Sequence, residues 1–237
     1  QYKCYRKFRD FQAAGKTIVF VTHDIDEVTR HCDRPLLLDD GRIIRDGRPK
    51  EVVSLYHELV LTGVTGDDKP DRPPAAPDAK AGARPAHTGT QEDLEALLNP
   101  RSTDDRCHLR CSYGQNEHRF GDGRGWIIDY LIVCGGRSDP ACIDSGQWVD
   151  IYCKTRFDRA VEAPLMGIAV KTVHGMMIYG TNTRFAGRDL PPARAGEVRV
   201  FRFRLRMMLA AGDYFLDLGF AERRGDGDGP LDIREGV

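Results

Sequence analysis

Between residues 66 and 90 the chain carries five prolines and six alanines, with no aromatic residue and no Val, Ile, Leu or Met. A segment of that composition buries too little apolar surface to offset the entropy of ordering it, and it stiffens only where prolines cluster. One core cannot run through it, so packed structure must lie on either side. The two flanks also carry different hydrophobic periods. We therefore expect a mixed architecture: an α/β piece over 1–62, a flexible linker with a short helix over 63–110, and an all-β sandwich over 111–237.

The first flank alternates helix and strand. Cys4, Phe8 and Phe11 recur at i, i+4 and i+7 on one helical face, and Gly15 suits the cap that ends it. Thr17 to Val21 is a short β-branched run, expected as a strand buried on both faces. Asp24, with Glu27 three residues on, has the spacing of a capping box before a helix with Ile25, Val28 and Cys32 on one face. Leu36-Leu37-Leu38, Asp40-Gly41 and Ile43-Ile44 read as strand, tight turn and strand. Pro49 suits the first turn of a helix continued by Val52, Val53, Tyr56 and Val60.

Gly15-Lys16-Thr17 invites a phosphate-loop reading, which its surroundings exclude. That loop needs a glycine five residues earlier, after a strand and before a helix. Asp10 occupies the position, a helical pattern precedes it and a strand pattern follows. Lys16 is not a phosphate-binding lysine.

From about residue 111 the period becomes two. Val149, Ile151, Cys153, Thr155 and Phe157 alternate with Asp150, Tyr152, Lys154 and Arg156; Phe201, Phe203, Leu205 and Met207 alternate with Arg202, Arg204 and Arg206. Trp126 to Cys134, Leu165 to Val173, Met176 to Tyr179 and Tyr214 to Phe220 are further strands, separated by glycine-rich turns as in an immunoglobulin-like sandwich. Leu231 to Val237 reads as the start of another strand. Since the chain opens on Gln1 inside a helical pattern, a fragment truncated at both ends is expected.

Charge is nearly balanced, with 35 Lys+Arg against 36 Asp+Glu, so no bulk field favours nucleic acid. No apolar run approaches the ~18 residues of a spanning helix, and the first residues do not read as a secretory signal. Of seven cysteines, Cys107 and Cys111 flank His108, but no second Cys/His pair follows at zinc-finger spacing. Free thiols and no metal are expected.

The first flank, with Thr22-His23-Asp24 after a strand, Cys32-Asp33-Arg34, Asp40-Gly41-Arg42-Ile43 and Asp46-Gly47-Arg48-Pro49-Lys50-Glu51-Val52, resembles the end of an ABC-transporter ATPase domain. The resemblance implies that His23 is the switch histidine, which contacts the γ-phosphate of ATP, and that ATP and magnesium serve the full-length parent. This chain lacks a P-loop, a Leu-Ser-Gly-Gly-Gln-type signature and a Walker B pair. Alone it is expected to bind no cofactor and to be inactive as an ATPase. Pro164-Leu165-Met166-Gly167-Ile168, Ile178-Tyr179-Gly180-Thr181-Asn182-Thr183 and Ala211-Gly212-Asp213-Tyr214 resemble the domain appended to polysaccharide-exporting ABC ATPases of the O-antigen type. That implies a glycan-binding domain, a homodimer, a transmembrane permease partner, and a cytoplasmic place on the inner face of the bacterial inner membrane.

A sugar site needs aromatic platforms and planar polar groups, because sugars offer hydroxyls and apolar ring faces. Trp148 and Tyr152 share a strand face with Asp150 between them; Tyr179, Asn182 and Arg184 form a second candidate cluster. Core packing for the aromatics, and turn chemistry for Asn182, are the structural alternatives. The arginines at 199, 202, 204 and 206 read as a solvated face, a docking surface or contacts to an acidic glycan. A purely structural dimerisation or permease-docking sandwich is the alternative for the domain. A hydrolase would need two paired acids, and Asp150 and Glu162 are available but unpaired by any pattern.

Overall fold

The computed structural model describes residues 11, 13–62, 89–225 and 227–237. Most of the helix expected around Cys4 and Phe8, and nearly all of the proline-rich segment, lie outside these residues. Where the described chain begins, the Lys16 N–H donates to the Phe11 carbonyl at 3.0 Å and Gly15 adopts φ +67°. Together they form the reverse turn that ends a helix, which favours glycine because a Cβ would be strained there.

Residues 16–24 belong to no strand of the described sheets, and Val19 and Val21 are 88% and 93% exposed. This corrects the doubly buried strand expected at Thr17 to Val21. A strand of that kind needs a ladder on each side and a cover on each face, and no other described strand lies beside it. Helix α1 (Ile25–His31) follows, with the Asp24 carboxylate accepting from the Asp26 and Glu27 N–H groups. Strands β1 (Leu36–Asp39) and β2 (Arg42–Asp46) form a hairpin. Asp40 and Gly41 both take positive φ, which suits a tight turn with the twist of its strands. Helix α2 (Pro49–Thr62) starts on its proline as expected.

The rest is a sandwich. After helix α3 (Thr90–Leu98) come β3 (His118–Phe120), β4 (Gly125–Cys134), β5 (Arg137–Ser138), β6 (Trp148–Phe157), β7 (Pro164–Thr172), β8 (Met177–Asn182), β9 (Val198–Arg206), β10 (Tyr214–Arg224) and β11 (Gly227–Glu235). One sheet runs β3-β11-β10-β7-β8 and the other β5-β4-β6-β9, with every neighbour antiparallel. The expected alternation decides which side faces in. Val149, Ile151, Cys153 and Phe157 of β6 meet Met166 and Ile168 of β7 and Leu216, Leu218 and Phe220 of β10 in one core. Phe157 and Phe220 join the sheets edge to face, with centroids 5.1 Å apart. Each side chain buried this way contributes ~1.5–3 kcal/mol.

Two expected boundaries move. Residues 89–110, read as linker, pack on the sandwich: Leu97 of α3 and Cys107 are fully buried. Lys154 on the outer face of β6 donates to the Asn99 carbonyl just after α3. One apolar helix face and one buried cysteine were too short a signal beside the neighbouring prolines. The C-terminal strand begins at 227 rather than 231 and is paired on both sides, by β10 and β3. Its first residues, Gly227-Asp228-Gly229-Pro230, look like a turn and hide the strand.

Ionic contacts fix the arm before β3. The wholly buried Asp232 carboxylate accepts from Arg119 and from the Ile127 N–H at 2.7 Å. Arg234 donates to Glu117, to Asp105 at 2.9 Å and to the Ile127 carbonyl at 2.8 Å. Burial alone would push the Asp105 carboxyl up, but Arg234 and Arg119 hold it below its ordinary range.

Candidate functional site

The two candidate sugar clusters sit on different sheets. On β6, Trp148, Asp150 and Tyr152 project from the face opposite the core, and the register sets them beside Arg206, Arg204 and Arg202 of β9. Asp150 accepts from Arg202 at 2.9 and 3.2 Å and lies 3.6 Å from Arg204. The Arg204 guanidinium lies over the Trp148 ring and that of Arg202 over Tyr152, each 5.8 Å from the centroid. Trp148 stays 57% exposed.

The open part of this face is narrow because α3 packs on its β4 side. Leu131 of β4, opposite Tyr152, is fully buried, whereas Trp148 of β6 and Arg202, Arg204 and Arg206 of β9 are exposed. The result is an exposed strip of rings, guanidiniums and one carboxylate. Aromatic rings and guanidiniums side by side offer apolar surface for sugar faces and donors for hydroxyls.

The second cluster lies on β8, an edge strand of the other sheet. Tyr179 is 39% exposed. Asn182 works in a turn, its side-chain oxygen accepting from the Phe185 N–H at 2.8 Å. Arg184 lies over the exposed Phe185 ring, 5.9 Å from its centroid. These residues are not brought into one site with Trp148.

His23 is exposed, just before α1. The described residues around it form no phosphate cradle of their own. Gly15 closes a helix instead of opening one, so the backbone there presents no N–H cradle for phosphates. Among the described residues no group of three or more His, Cys, Asp and Glu could hold a metal.

A further constellation escaped sequence reasoning: a buried ionic seam between α2 and the outer face of the five-stranded sheet. Lys171 of β7 lies 2.5 Å from Asp217 of β10 and 3.0 Å from Glu235 of β11. Glu235 also meets His57 of α2 at 3.0 Å, and Glu58 meets His118 at 3.1 Å. Lys50 sits over the Phe215 ring at 4.1 Å. Burial would raise the Glu235 carboxyl, but His57 and Lys171 bring it down to about 2. Lys171 and Asp217, charged residues inside otherwise apolar strand patterns, were the available signal.

The fold is a sandwich of two antiparallel sheets with aromatic and guanidinium groups on an outer face. The chain belongs to the Wzt C-terminal domain family, whose description matches residues 116–237. It is similar to a crystal structure of the C-terminal domain of Wzt, at 35% identity and a TM-score of 0.54, over 56% of this chain and 81% of that one. It is 28% identical to the O-antigen export system ATP-binding protein RfbB of Myxococcus xanthus, over 98% of this chain and 46% of the relative. Shorter matches join it to the ABC transporter protein AbcA of Aeromonas salmonicida and the teichoic acids export ATP-binding protein TagH of Listeria innocua. These are 41% identical over 29% of this chain and 22% of the relative, and 45% over 24% and 17%. The chain thus spans less than half the length of the curated relatives it matches.

Proposed function

We propose that this chain is part of the ATP-binding subunit of an ABC transporter that exports an O-antigen-like polysaccharide, and that its sandwich recognises the glycan and couples it to transport. Residues 1–62 are the end of the ATPase domain in this reading, with His23 as its switch histidine. The exposed Val19 and Val21 are the face that the remainder of that domain would cover. ATP and magnesium belong to that remainder, and no catalytic step is assigned to the residues here. A transmembrane permease and a second copy of the subunit are the expected partners, on the cytoplasmic face of the inner membrane.

The observation that carries glycan recognition is Trp148. A tryptophan 57% exposed on a sheet face, with a guanidinium 5.8 Å from its ring centroid, offers an apolar ring surface beside hydrogen-bond donors, the pairing that a sugar uses. Isothermal titration of the full chain with the O-polysaccharide of its source strain tests the reading. Binding by the native chain, weakened at least tenfold in Trp148→Ala with unchanged thermal unfolding, is expected. No binding by the folded native chain overturns it. The structural alternative, a sandwich that only dimerises or docks on a permease, draws on β9, a nine-residue edge strand with one free side. It requires that Trp148→Ala change self-association, not sugar affinity.

A further inference from the structure

The open β6–β9 strip carries three guanidiniums, those of Arg202, Arg204 and Arg206, on one strand of a chain whose formal charge is −1. Asp150 is the one carboxylate in ion-pair contact with any of them among the described residues. It is engaged by both nitrogens of Arg202, while Arg204 reaches it only at 3.6 Å. The Arg206 Nε–H goes to the Gly146 carbonyl, which leaves its charge uncompensated. Alternate residues on a strand stand about 7 Å apart, so the three cations form a column of like charge.

A column of like charge lowers stability slightly and does nothing for the core. A solubilising edge would need charge alone. Here Arg204 and Arg202 instead lie 5.8 Å from the Trp148 and Tyr152 ring centroids, so forked N–H donors and aromatic rings share one strip. Planar donors of fixed geometry suit planar or tetrahedral oxyanions, and the rings beside them suit the apolar faces of sugars.

We propose that this strip binds an acidic polysaccharide, one whose sugars carry oxyanions, with Arg204 and Arg206 meeting the anionic groups and Trp148 the sugar ring between them. This rests on the glycan reading above and adds the charge class of the ligand. The oxyanion can be a uronic-acid carboxylate or a phosphate ester, and both offer the same acceptors.

Three probes separate the cases: a galacturonic acid hexasaccharide, the same oligosaccharide reduced at its carboxyls, and a short poly(glycerol phosphate). Each is titrated into the full chain at low and at moderate salt, beside the source strain's own polysaccharide. One or both acidic probes should bind at least tenfold tighter than the reduced one, with affinity falling as salt rises, since exposed charges are screened within ~8–10 Å. Which acidic probe binds tells carboxylate from phosphate. Losing one charged hydrogen bond is worth roughly 10-fold or more in affinity. Arg204→Gln and Arg206→Gln should therefore each weaken the acidic probe by that factor and leave the neutral one unchanged. Trp148→Ala should weaken both. Arg223→Gln, an exposed arginine on β10 in the other sheet, should change neither.

Equal affinity for acidic and reduced probes, without salt dependence, overturns the charge assignment and leaves glycan recognition standing. Acidic binding that Arg223→Gln weakens as much as Arg204→Gln does overturns the strip as its site. If neither acidic probe binds while the source polysaccharide does, the ligand is not read by its charge, and the proposal fails alone. If nothing binds, it falls together with the reading beneath it.

Discussion

His57 Nδ1 on α2 lies 3.0 Å from Glu235 Oε1 at the end of β11, across the seam that joins the helical piece to the sandwich. Glu235 is 6% exposed, so this contact and the one to Lys171 act in a medium where charge is poorly screened. One helix side chain is thereby tied to the sheet through a carboxylate that Lys171 also contacts.

The Glu235 carboxyl sits at about 2 when folded, against an ordinary 4.5. A depressed carboxyl adds stability above its unfolded value and loses it as pH falls through its folded value, which sets the window between about 4.5 and 2. The contribution is roughly 3 kcal/mol. Asp217, against the same Lys171, moves the other way because burial pushes its carboxyl up, so it opposes part of this. Glu235→Gln should flatten the acid limb of urea unfolding and speed hydrogen exchange across 49–62 at neutral pH. An acid limb identical to that of the native chain would show that Glu235 does not hold the seam.

Arg234 is 3% exposed and joins Glu117, Asp105 and the Ile127 carbonyl. Removing one member of a buried ionic set strands the others, at a cost of about 3–5 kcal/mol. Arg234→Ala should lower stability by that amount and open residues 105–117 to proteolysis. Arg202→Ala, its exposed counterpart on β9, should stay within about 0.5 kcal/mol. Equal effects in thermal unfolding would contradict the buried network.

Gly114 is required by close approach. A Cβ built there would stand 2.1 Å from the Gly236 carbonyl oxygen, and that oxygen is backbone and cannot rotate away. Gly236 is itself held, its N–H donating to Asp217 at 2.8 Å, and Val237 behind it is buried. Gly114→Ala should destabilise by ~1–3 kcal/mol and loosen the last residues, visible as faster exchange at the Val237 amide. An unchanged amide would mean that the arm yields instead of the strand end.

The sandwich was legible because alternation is a strong signal when one face is buried: Ile151 and Phe203 face inward beside Asp150 and Arg204 facing out. The same parity placed Trp148 and Tyr152 on an open face. What sequence could not supply was which sheet each strand joins. It therefore gave two candidate clusters, around Trp148 and around Tyr179, without showing that β6 and β8 belong to different layers. The Thr17 to Val21 run shows the opposite limit, since β-branched residues report a preference for a ladder and not its presence. The seam was hidden because a charged residue in a strand usually means an outward face, and here that face is covered by α2.

Trp148 and Asn182 separate binding from architecture. Trp148 contributes little to the fold, since it is 57% exposed and its ring meets Arg204 from the outside. Asn182 closes the turn after β8 by accepting from the Phe185 N–H, and beside it the Met166 N–H donates to the Thr183 hydroxyl oxygen at 3.4 Å. Asn182→Ala should cost about 1 kcal/mol by losing that hydrogen bond, and it should leave sugar affinity within twofold. Trp148→Ala should do the reverse, with unfolding unchanged and titrated affinity down at least tenfold. If Asn182→Ala abolishes binding while its unfolding midpoint holds, the glycan lies on the β8 edge and the β6–β9 face is not the site.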